Sequence, residues 1–168
     1  MGERERREKR LSMTVLMTPD KANFTGHVHG GEMLKMFDEV AYACGSRFCG
    51  QYVVTLCVDQ VVFREPVRIG ELVTCLAQVN YTGRTSMEIG VKVVAEDIIG
   101  RTCRHTNSCY FTMVALKDGK PVPVGDVDIS TDEDRVRWEA ARARREFRHE
   151  VERNSQEQRR LRQAEASP

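Results

Sequence analysis

The stretch Asn23-Phe24-Thr25-Gly26-His27-Val28-His29-Gly30-Gly31 is a polar, glycine-rich loop that leads directly into a helical pattern over about residues 31–48. Apolar side chains recur almost all the way round this helix: Met33, Leu34, Met36, Phe37, Val40, Ala41, Ala43 and Cys44. A helix that is apolar on every side is a buried helix. The segment therefore predicts a long helix that other elements of the fold surround.

Asp38 lies in the middle of this apolar helix. A carboxylate in such a place is costly unless it is paired, protonated or used. It could act as a general base towards water or as a nucleophile towards a carbonyl carbon. From the residue pattern alone, an ordinary surface carboxylate is an equally good interpretation of Asp38, as it is of its neighbour Glu39.

The start of the helix is a second candidate site. The first N–H groups of a helix have no acceptor within it, and they can bind an oxygen that carries negative charge. Gly30 and Gly31 would direct these groups at a carbonyl oxygen, and His29 would line the same site. Asn23 by itself reads as a turn residue, because asparagine favours loops.

After Gly50 the pattern changes to the two-residue period of a β-strand. The alternation predicts a long strand over residues 53–63, and later strands over 72–81, 86–97 and 102–116. Together with a short apolar stretch at residues 11–17, the order is strand, helix and four strands joined by short turns. Short links favour antiparallel neighbours, so we expect an α+β fold with a second copy of the chain over the open side of the helix.

Composition divides the chain into a core and two charged ends. We expect residues 1–10 to form a charged tail, 11–128 to form the domain, and 129–168 to form a helical extension rich in Arg and Glu. The formal net charge is +1 and the signs alternate in both ends. Nucleic-acid or membrane partners therefore have little support.

The extension carries signals of one long helix. A capping box at residues 130–133 predicts its start. A thin apolar stripe follows at steps of three and four residues, through Val136, Ala140, Ala143, Phe147, Val151, Asn154, Gln158 and Leu161. We expect the helix to dock near Trp138 and Phe147 and to fray beyond about residue 154.

The six cysteines show no CxxC pair and no metal-ligand spacing, and they predict free thiols in a reducing, cytoplasmic location. His27 and His29 form a pair without a spaced third or fourth ligand, so no metal site is expected. Cys57 lies among apolar residues, where a thiol is usually inert. The chain has no G-x-S-x-G element, which excludes an α/β-hydrolase.

Five segments together carry a resemblance to a known family. They are residues 23–31, Met36-Phe37-Asp38-Glu39-Val40-Ala41, Val54-Thr55 with Val58-Asp59, Phe63-Arg64-Glu65-Pro66-Val67 with Gly70-Glu71, and Thr82-Gly83-Arg84-Thr85-Ser86-Met87. In this order they resemble the hot-dog-fold acyl-CoA thioesterases, specifically the YciA-like and cytosolic (brain-type) acyl-CoA hydrolases. The resemblance implies an antiparallel sheet wrapped around one long buried helix. It also implies a homodimer as the active unit and a trimer of dimers, a hexamer, as the assembly.

The resemblance implies roles for single residues. The family's catalytic asparagine falls on Asn23 and its catalytic aspartate on Asp38. The loop that lies by coenzyme A in the family corresponds here to Arg84, Thr85 and Ser86. Arg64 is a further candidate for the phosphates of coenzyme A, on charge grounds alone. No cofactor is expected, because a thioester is already activated and coenzyme A is part of the substrate.

These observations point to hydrolysis of acyl-CoA thioesters, which yields a free fatty or other carboxylic acid and coenzyme A. Two alternatives stay open. A hot-dog hydroxyacyl-thioester dehydratase would use a histidine with a carboxylate, whereas the loop and helix here pair an asparagine with an aspartate. A non-catalytic acyl-CoA-binding module would keep the fold without turnover.

No active site is expected to be complete within one chain. The seven positions between Gly31 and Asp38 correspond to about 10 Å along a helix. Two helices that run antiparallel across a two-fold axis would place the start of one beside the middle of the other. We therefore expect Asn23 and the glycines from one subunit and Asp38 from its partner.

Overall fold

The computed structural model describes residues 7–165, with the side chains of residues 7–163. The chain divides into two compact units, and the boundary falls between Val127 and Asp128. The first unit contains one long helix, α1 (Gly30–Cys49), and an antiparallel sheet. The second unit contains α2 (Asp132–Glu165). No helix among the described residues is both long enough and apolar enough to cross a membrane.

Six strands form the sheet in the described part of the first unit. They are β1 (Arg10–Leu16), β2 (Tyr52–Val58), β3 (Leu72–Thr82), β4 (Ser86–Asp97), β5 (Thr102–Lys117) and β6 (Lys120–Pro121). Their spatial order is β1-β3-β4-β5-β2, with β6 beside β5, and all neighbouring strands are antiparallel. The predicted α+β fold, with one long helix on an antiparallel sheet, is confirmed.

One face of α1 packs on the sheet and forms the core. Its buried residues are Met33, Met36, Phe37, Val40, Ala41, Cys44 and Phe48. Alternate residues of the central strands face them, among them Val73, Cys75, Val79, Met87, Ile89 and Phe111. A Cβ atom at Gly45 would lie 3.0 Å from Ile89 Cδ1 and 3.3 Å from Met87 Sδ. Glycine at this position therefore lets the helix approach the sheet closely.

The opposite face of α1 is open in the single chain. Leu34 is 39% exposed and Tyr42 is 40% exposed, while Asp38 on the same face is half-buried. This open face agrees with the expectation that one sheet covers only one side of the helix, so that the remaining apolar residues need a further layer.

Strand β2 is shorter than its sequence pattern predicts, because it ends at Val58 instead of about residue 63. Its register with β5 shifts between Thr55 and Cys57. Beyond Val58 the chain still follows β5, but only through separate contacts such as Arg64 N–H to Thr106 O at 3.2 Å. A bulge changes the face of the sheet on which the following side chains lie, but it leaves the sequence unchanged. The alternating pattern therefore does not reveal it.

Helix α2 starts at a different cap from the predicted one. Thr131 Oγ1 accepts a hydrogen bond from the N–H of Asp134 at 3.0 Å, so Thr131 takes the N-cap position that was expected for Ser130. The prediction that the helix frays beyond residue 154 is wrong, because α2 continues to Glu165. Residues of high helix propensity and pairs four positions apart, such as Arg137 with Glu133 at 2.5 Å, stabilise it along its length.

Candidate active site

The start of α1 is capped by its own loop. His29 is the N-cap residue, and its Nδ1 accepts the N–H of Gly31 at 2.8 Å. A Cβ atom at position 31 would lie 3.0 Å from that nitrogen, so glycine leaves room for the imidazole ring. Since Nδ1 is the acceptor, the proton of the neutral ring is on Nε2.

This cap corrects the expectation that both glycines present bare N–H groups. The N–H of Gly31 is hydrogen-bonded to His29, and those of Glu32 and Met33 donate to His29 O at 3.0 and 3.2 Å. Within the first helical turn, the N–H of Gly30 is the one for which the described residues provide no acceptor. The candidate donor to a substrate carbonyl oxygen is therefore Gly30 and not Gly31.

Asn23 organises the loop that precedes the helix. Its Oδ1 accepts three hydrogen bonds, from the N–H of Thr25 at 2.9 Å, the hydroxyl of Thr25 at 2.8 Å and the N–H of His27 at 3.1 Å. Asn23 therefore stabilises a turn, as its residue type suggests. Because the oxygen is committed to the loop, the side-chain NH₂ is the group that can donate to a bound molecule.

Asp38 has a specific partner on the open face of α1. Thr55 Oγ1, on β2, lies 2.5 Å from Asp38 Oδ1 and 3.2 Å from the sulfur of Met113. A carboxylate is a much stronger acceptor than a thioether, so the hydroxyl donates to Asp38. Oδ2 is then left to act on a substrate. Sequence reasoning did not select Thr55, although a hydroxyl on a strand directly after the helix was the available signal.

The candidate residues form two groups within one chain. The first group lies around the start of α1: Asn23, His29, Gly30, Gly31 and Arg64. The second lies around the middle of α1: Asp38 and Thr55. Arg64 contacts β5 at Thr106, whereas Thr55 pairs with β5 at Met113. Seven strand residues between these two contacts correspond to about 23 Å.

The loop between β3 and β4 lies at the same end of β5 as the second group. Thr85 O accepts the N–H of Ala115 at 3.0 Å, and Ser86 pairs with Val114, which pairs in turn with Val54 of β2. Ser86 is therefore two strand spacings, about 10 Å, from β2. Arg84 of this loop is exposed, as is Arg64. One chain does not bring Arg84 and Arg64 together, so a coenzyme A site that contains both stays a prediction and would draw on two subunits.

A buried ion pair holds the segment between β2 and β3. The Arg104 guanidinium donates to both carboxylate oxygens of Glu71, at 2.6 and 2.8 Å, and to Pro66 O at 2.7 Å. Glu71 also accepts the N–H of Arg68 at 2.8 Å. The hydrogen bonds from Arg104 are the main reason that the pKa of Glu71 lies below its usual value of 4.5, and the N–H of Arg68 acts in the same direction. Burial acts in the opposite direction.

This ion pair supports the first group of candidate residues. Val67 lies inside the clamped segment, and its carbonyl accepts the N–H of Val28 at 2.9 Å. Val28 directly precedes the N-cap residue His29. The Glu71–Arg104 pair therefore positions the entry to α1 through one intermediate backbone hydrogen bond.

Replacement of Glu71 by Gln is expected to lower the free energy of unfolding by about 3 kcal/mol at neutral pH, because it leaves the charge of Arg104 without its buried partner. The pKa of Glu71 is depressed in the folded state, so its contribution is present above about pH 4.5 and is lost as the pH falls through the folded-state pKa. Urea unfolding of both proteins at pH 7 and at a series of pH values below 4.5 measures the difference.

Glu65 provides a matched control for this prediction. It also binds Arg104, at 3.0 Å from Nε, but its side chain is 52% exposed. Glu65→Gln should cost under about 1 kcal/mol, since exposed pairs contribute little. Equal losses for the two variants, or a Glu71→Gln loss that does not shrink at low pH, would contradict the clamp.

The cysteines offer no competing nucleophile. Burial raises the pKa of Cys44, Cys75 and Cys109 to about 12, so these thiols remain protonated near neutral pH. Cys57 is half-buried on β2, and its sulfur lies 3.9 Å from Asp59 Oδ1.

Comparison with known proteins identifies the family. The sequence profile of the thioesterase superfamily matches residues 25–100. The chain is 48% identical to the protein VdlD of Helicobacter pylori, over 83% of this chain and 80% of VdlD. It is 30% identical to the uncharacterized acyl-CoA thioester hydrolase YkhA of Bacillus subtilis, over 89% of this chain and 88% of YkhA. The chain belongs to the acyl-CoA thioester hydrolases of the thioesterase superfamily.

Other members of the family differ in length. The chain is 33% identical to the cytosolic acyl coenzyme A thioester hydrolase of Rattus norvegicus over 79% of its own length, but this match spans only 36% of the rat protein. The rat protein therefore contains additional sequence, and the similarity concerns one part of it.

Solved thioesterase structures share the fold. An apo-hexameric acyl-CoA thioesterase superposes with a TM-score of 0.83 at 33% identity, over 86% of this chain and 93% of that chain. An acyl-CoA hydrolase from Staphylococcus aureus, in complex with butyryl coenzyme A and coenzyme A, gives 0.83 at 28% identity over 92% and 94% of the chains. Variants of the S. aureus hydrolase carry alanine in place of an aspartate, an asparagine or a threonine. The predicted hot-dog thioesterase fold is confirmed.

Proposed function

We propose that the chain hydrolyses acyl-CoA thioesters to a free carboxylic acid and coenzyme A, with Asp38 as the reacting carboxylate. The observation that carries this proposal is the contact between Asp38 and Thr55 on the face of α1 that the sheet leaves open. It gives the carboxylate a fixed orientation and leaves one oxygen for the reaction. Membership of a family of acyl-CoA hydrolases gives the substrate class.

The S. aureus variants support this choice of residues. In that hydrolase the replaced aspartate follows the replaced asparagine by 15 positions, and the replaced threonine follows the aspartate by 17 positions. The same separations connect Asn23 with Asp38 and Asp38 with Thr55 in this chain. We therefore assign the three residues to one site, with Thr55 as the residue that orients Asp38.

The candidate residues have different roles in the proposed reaction. Oδ2 of the ionised Asp38 takes a proton from the water that attacks the thioester carbon, or it attacks that carbon itself and forms an anhydride that water then hydrolyses. On both paths the C–S bond breaks, and coenzyme A leaves with a proton as the free thiol. The Asn23 amide and the N–H of Gly30 donate hydrogen bonds to the thioester or its oxyanion. Arg84, Thr85 and Ser86 lie near the second group of candidate residues and would contact coenzyme A. No metal or organic cofactor takes part in this scheme.

Each site in this scheme draws on two subunits. Gly30 and Asp38 lie eight positions apart on α1, or about 12 Å along the helix axis, which is too far for one small carbonyl group to contact both. A two-fold axis that pairs two α1 helices antiparallel would bring the first group of one chain to the second group of the other. The open face of α1, with Leu34 and Tyr42, is the surface for this contact. We propose a homodimer as the active unit, three dimers in a hexamer, and a cytoplasmic location.

Loss of thioester absorbance in a series of acyl-CoA substrates, from acetyl to long-chain, tests the function. Hydrolysis with release of free coenzyme A is expected for part of the series. Hydration of 2-enoyl-CoA without release of coenzyme A would indicate the dehydratase instead. Binding of acyl-CoA without turnover across the whole series would indicate a non-catalytic module, and either result would overturn the proposal.

A further inference from the structure

Helix α2 carries an exposed apolar stripe, here called the seam: Val136, Ala140, Ala143, Phe147, Val151, Asn154, Gln158 and Leu161. Its large apolar members are far from buried, with Val136 62%, Phe147 67% and Leu161 59% exposed. On the opposite face of the helix, Asp134 and Ala141 are buried. Phe147, which was expected to mark the docking site, is thus exposed, and the seam is a surface that another molecule can cover.

The spacing of the seam is that of a two-stranded coiled coil. The steps between successive members are 4, 3, 4, 4, 3, 4 and 3 residues. Alternating steps of three and four keep side chains on one stripe of a helix that supercoils with a partner. The two consecutive steps of four residues meet at Phe147, and they correspond to a four-residue insertion of the kind that locally unwinds a coiled coil without breaking it.

The charges beside the seam differ on its two sides. One set of seam residues, Ala140, Phe147, Val151 and Gln158, is preceded by acidic positions: Glu139, Glu146, Glu150 and Glu157. The positions after the other set are basic or neutral: Arg137, Arg144, Ser155 and Arg162. Flanking positions of this kind set the partner and the orientation in coiled coils.

This arrangement favours a parallel pair of identical helices. In a parallel pair, an acidic flank faces the position five further along in the partner, and this position is basic for Glu139, which would face Arg144, and for Glu157, which would face Arg162. In an antiparallel pair, acidic flanks face acidic flanks and basic flanks face basic ones. Asn154 lies inside the seam, and its side-chain amide can hydrogen-bond to Asn154 of the partner helix. This contact favours a pair in which identical residues lie opposite each other.

We propose that α2 pairs with α2 of a second copy of this chain as a parallel, in-register coiled coil. The occupant of the seam is thus a second identical helix, selected by charge complementarity and by the matched polar residues. Two alanines and two polar members make the seam weak by itself. Attachment to an oligomeric thioesterase core raises the effective concentration of one helix near another to the millimolar range, roughly, which compensates for this weakness.

Cysteine cross-linking of the full-length protein tests both contact and orientation. Phe147→Cys and Leu161→Cys are each introduced in a Cys103→Ser background, since Cys103 is the exposed cysteine among the six. In a parallel, in-register pair each variant should form a disulfide with its own copy under mild oxidation. Arg145→Cys, on the opposite face, is the matched control and should remain monomeric on non-reducing gels.

Charge exchange supplies an independent readout. Glu139→Arg alone should reduce cross-linking at position 147 several-fold, and Glu139→Arg combined with Arg144→Glu should restore it, because each chain again faces the opposite charge. Thioester hydrolysis should be unchanged throughout. Absence of links at both 147 and 161 while the core oligomer remains intact would overturn the pairing and leave the seam to a different protein. Links that form only between a 147 variant and a 161 variant would overturn the parallel orientation.

Discussion

Replacement of Asp38 by Ala is expected to lower kcat for acyl-CoA hydrolysis about a hundredfold or more, as the loss of a general base or nucleophile typically does. Asp38 lies on the open face of α1 and contacts Thr55 instead of the core, so the fold should tolerate the change. Steady-state kinetics with one good acyl-CoA substrate, together with thermal melts and coenzyme A binding, provide the measurement. Asp38→Asn should behave in the same way, because the amide cannot accept the proton.

Two variants sharpen this prediction. Glu39→Ala removes the adjacent, exposed carboxylate and should leave kcat within about twofold, since an exposed surface side chain contributes little. Thr55→Val removes the hydroxyl that orients Asp38 and should lower kcat by about tenfold, the value of one charged hydrogen bond in the transition state. Near-normal turnover in Asp38→Ala would rule out the assignment, whatever Thr55→Val shows.

Mixing two inactive proteins is expected to restore activity. Asn23→Ala and Asp38→Ala chains, dissociated and reassembled together in equal amounts, should form heterodimers in which one of the two sites has both residues intact. Random assembly places half of the chains in heterodimers, so about a quarter of wild-type activity should return. This large effect follows from the separation of Gly30 and Asp38 on α1 within one chain, about 12 Å along the helix axis.

The complementation needs a check on assembly. Chains with different affinity tags, purified successively on both, show that heterodimers have formed. Each variant mixed with itself should stay inactive through the same treatment. A verified heterodimer as inactive as its parents would show that each site is complete within a single chain, and it would remove the need for antiparallel pairing of α1.

Local sequence patterns predicted some helix and strand boundaries correctly and others incorrectly. The strands over residues 72–82, 86–97 and 102–117 were predictable almost to their ends, because tight turns and alternating burial are local properties. Strand β2 was predicted too long, since the bulge between Thr55 and Cys57 depends on its pairing with β5. The N-cap of α2 was misplaced by one residue, because Ser130 and Thr131 are both good caps and only the backbone decides between them.

Within the candidate site, too, some residues could be found from the sequence and others only from the structure. Asp38 and Asn23 stood out through their places in a recognisable order of segments, whereas Thr55 gained its role only when β2 came to lie beside α1. The Glu71–Arg104 pair joins residues 33 positions apart, and no local pattern marks it. Gly31 looked like an oxyanion donor in sequence, but the ring of His29 folds back and occupies its N–H.

The amino-acid sequence by itself determined the α+β class, the long helix and the order of the strands along the chain. These depend on periodicity and composition, which each segment carries alone. Asp38 was selected only by its place among the five segments that resemble the family. Only the tertiary structure decided which face of α1 remains open, which N–H at its start is available, and that Thr55 lies beside Asp38. The open face and the Thr55 contact arise from the packing of distant segments, whereas the spacing of Gly31 and Asp38 along one helix already indicated a second subunit.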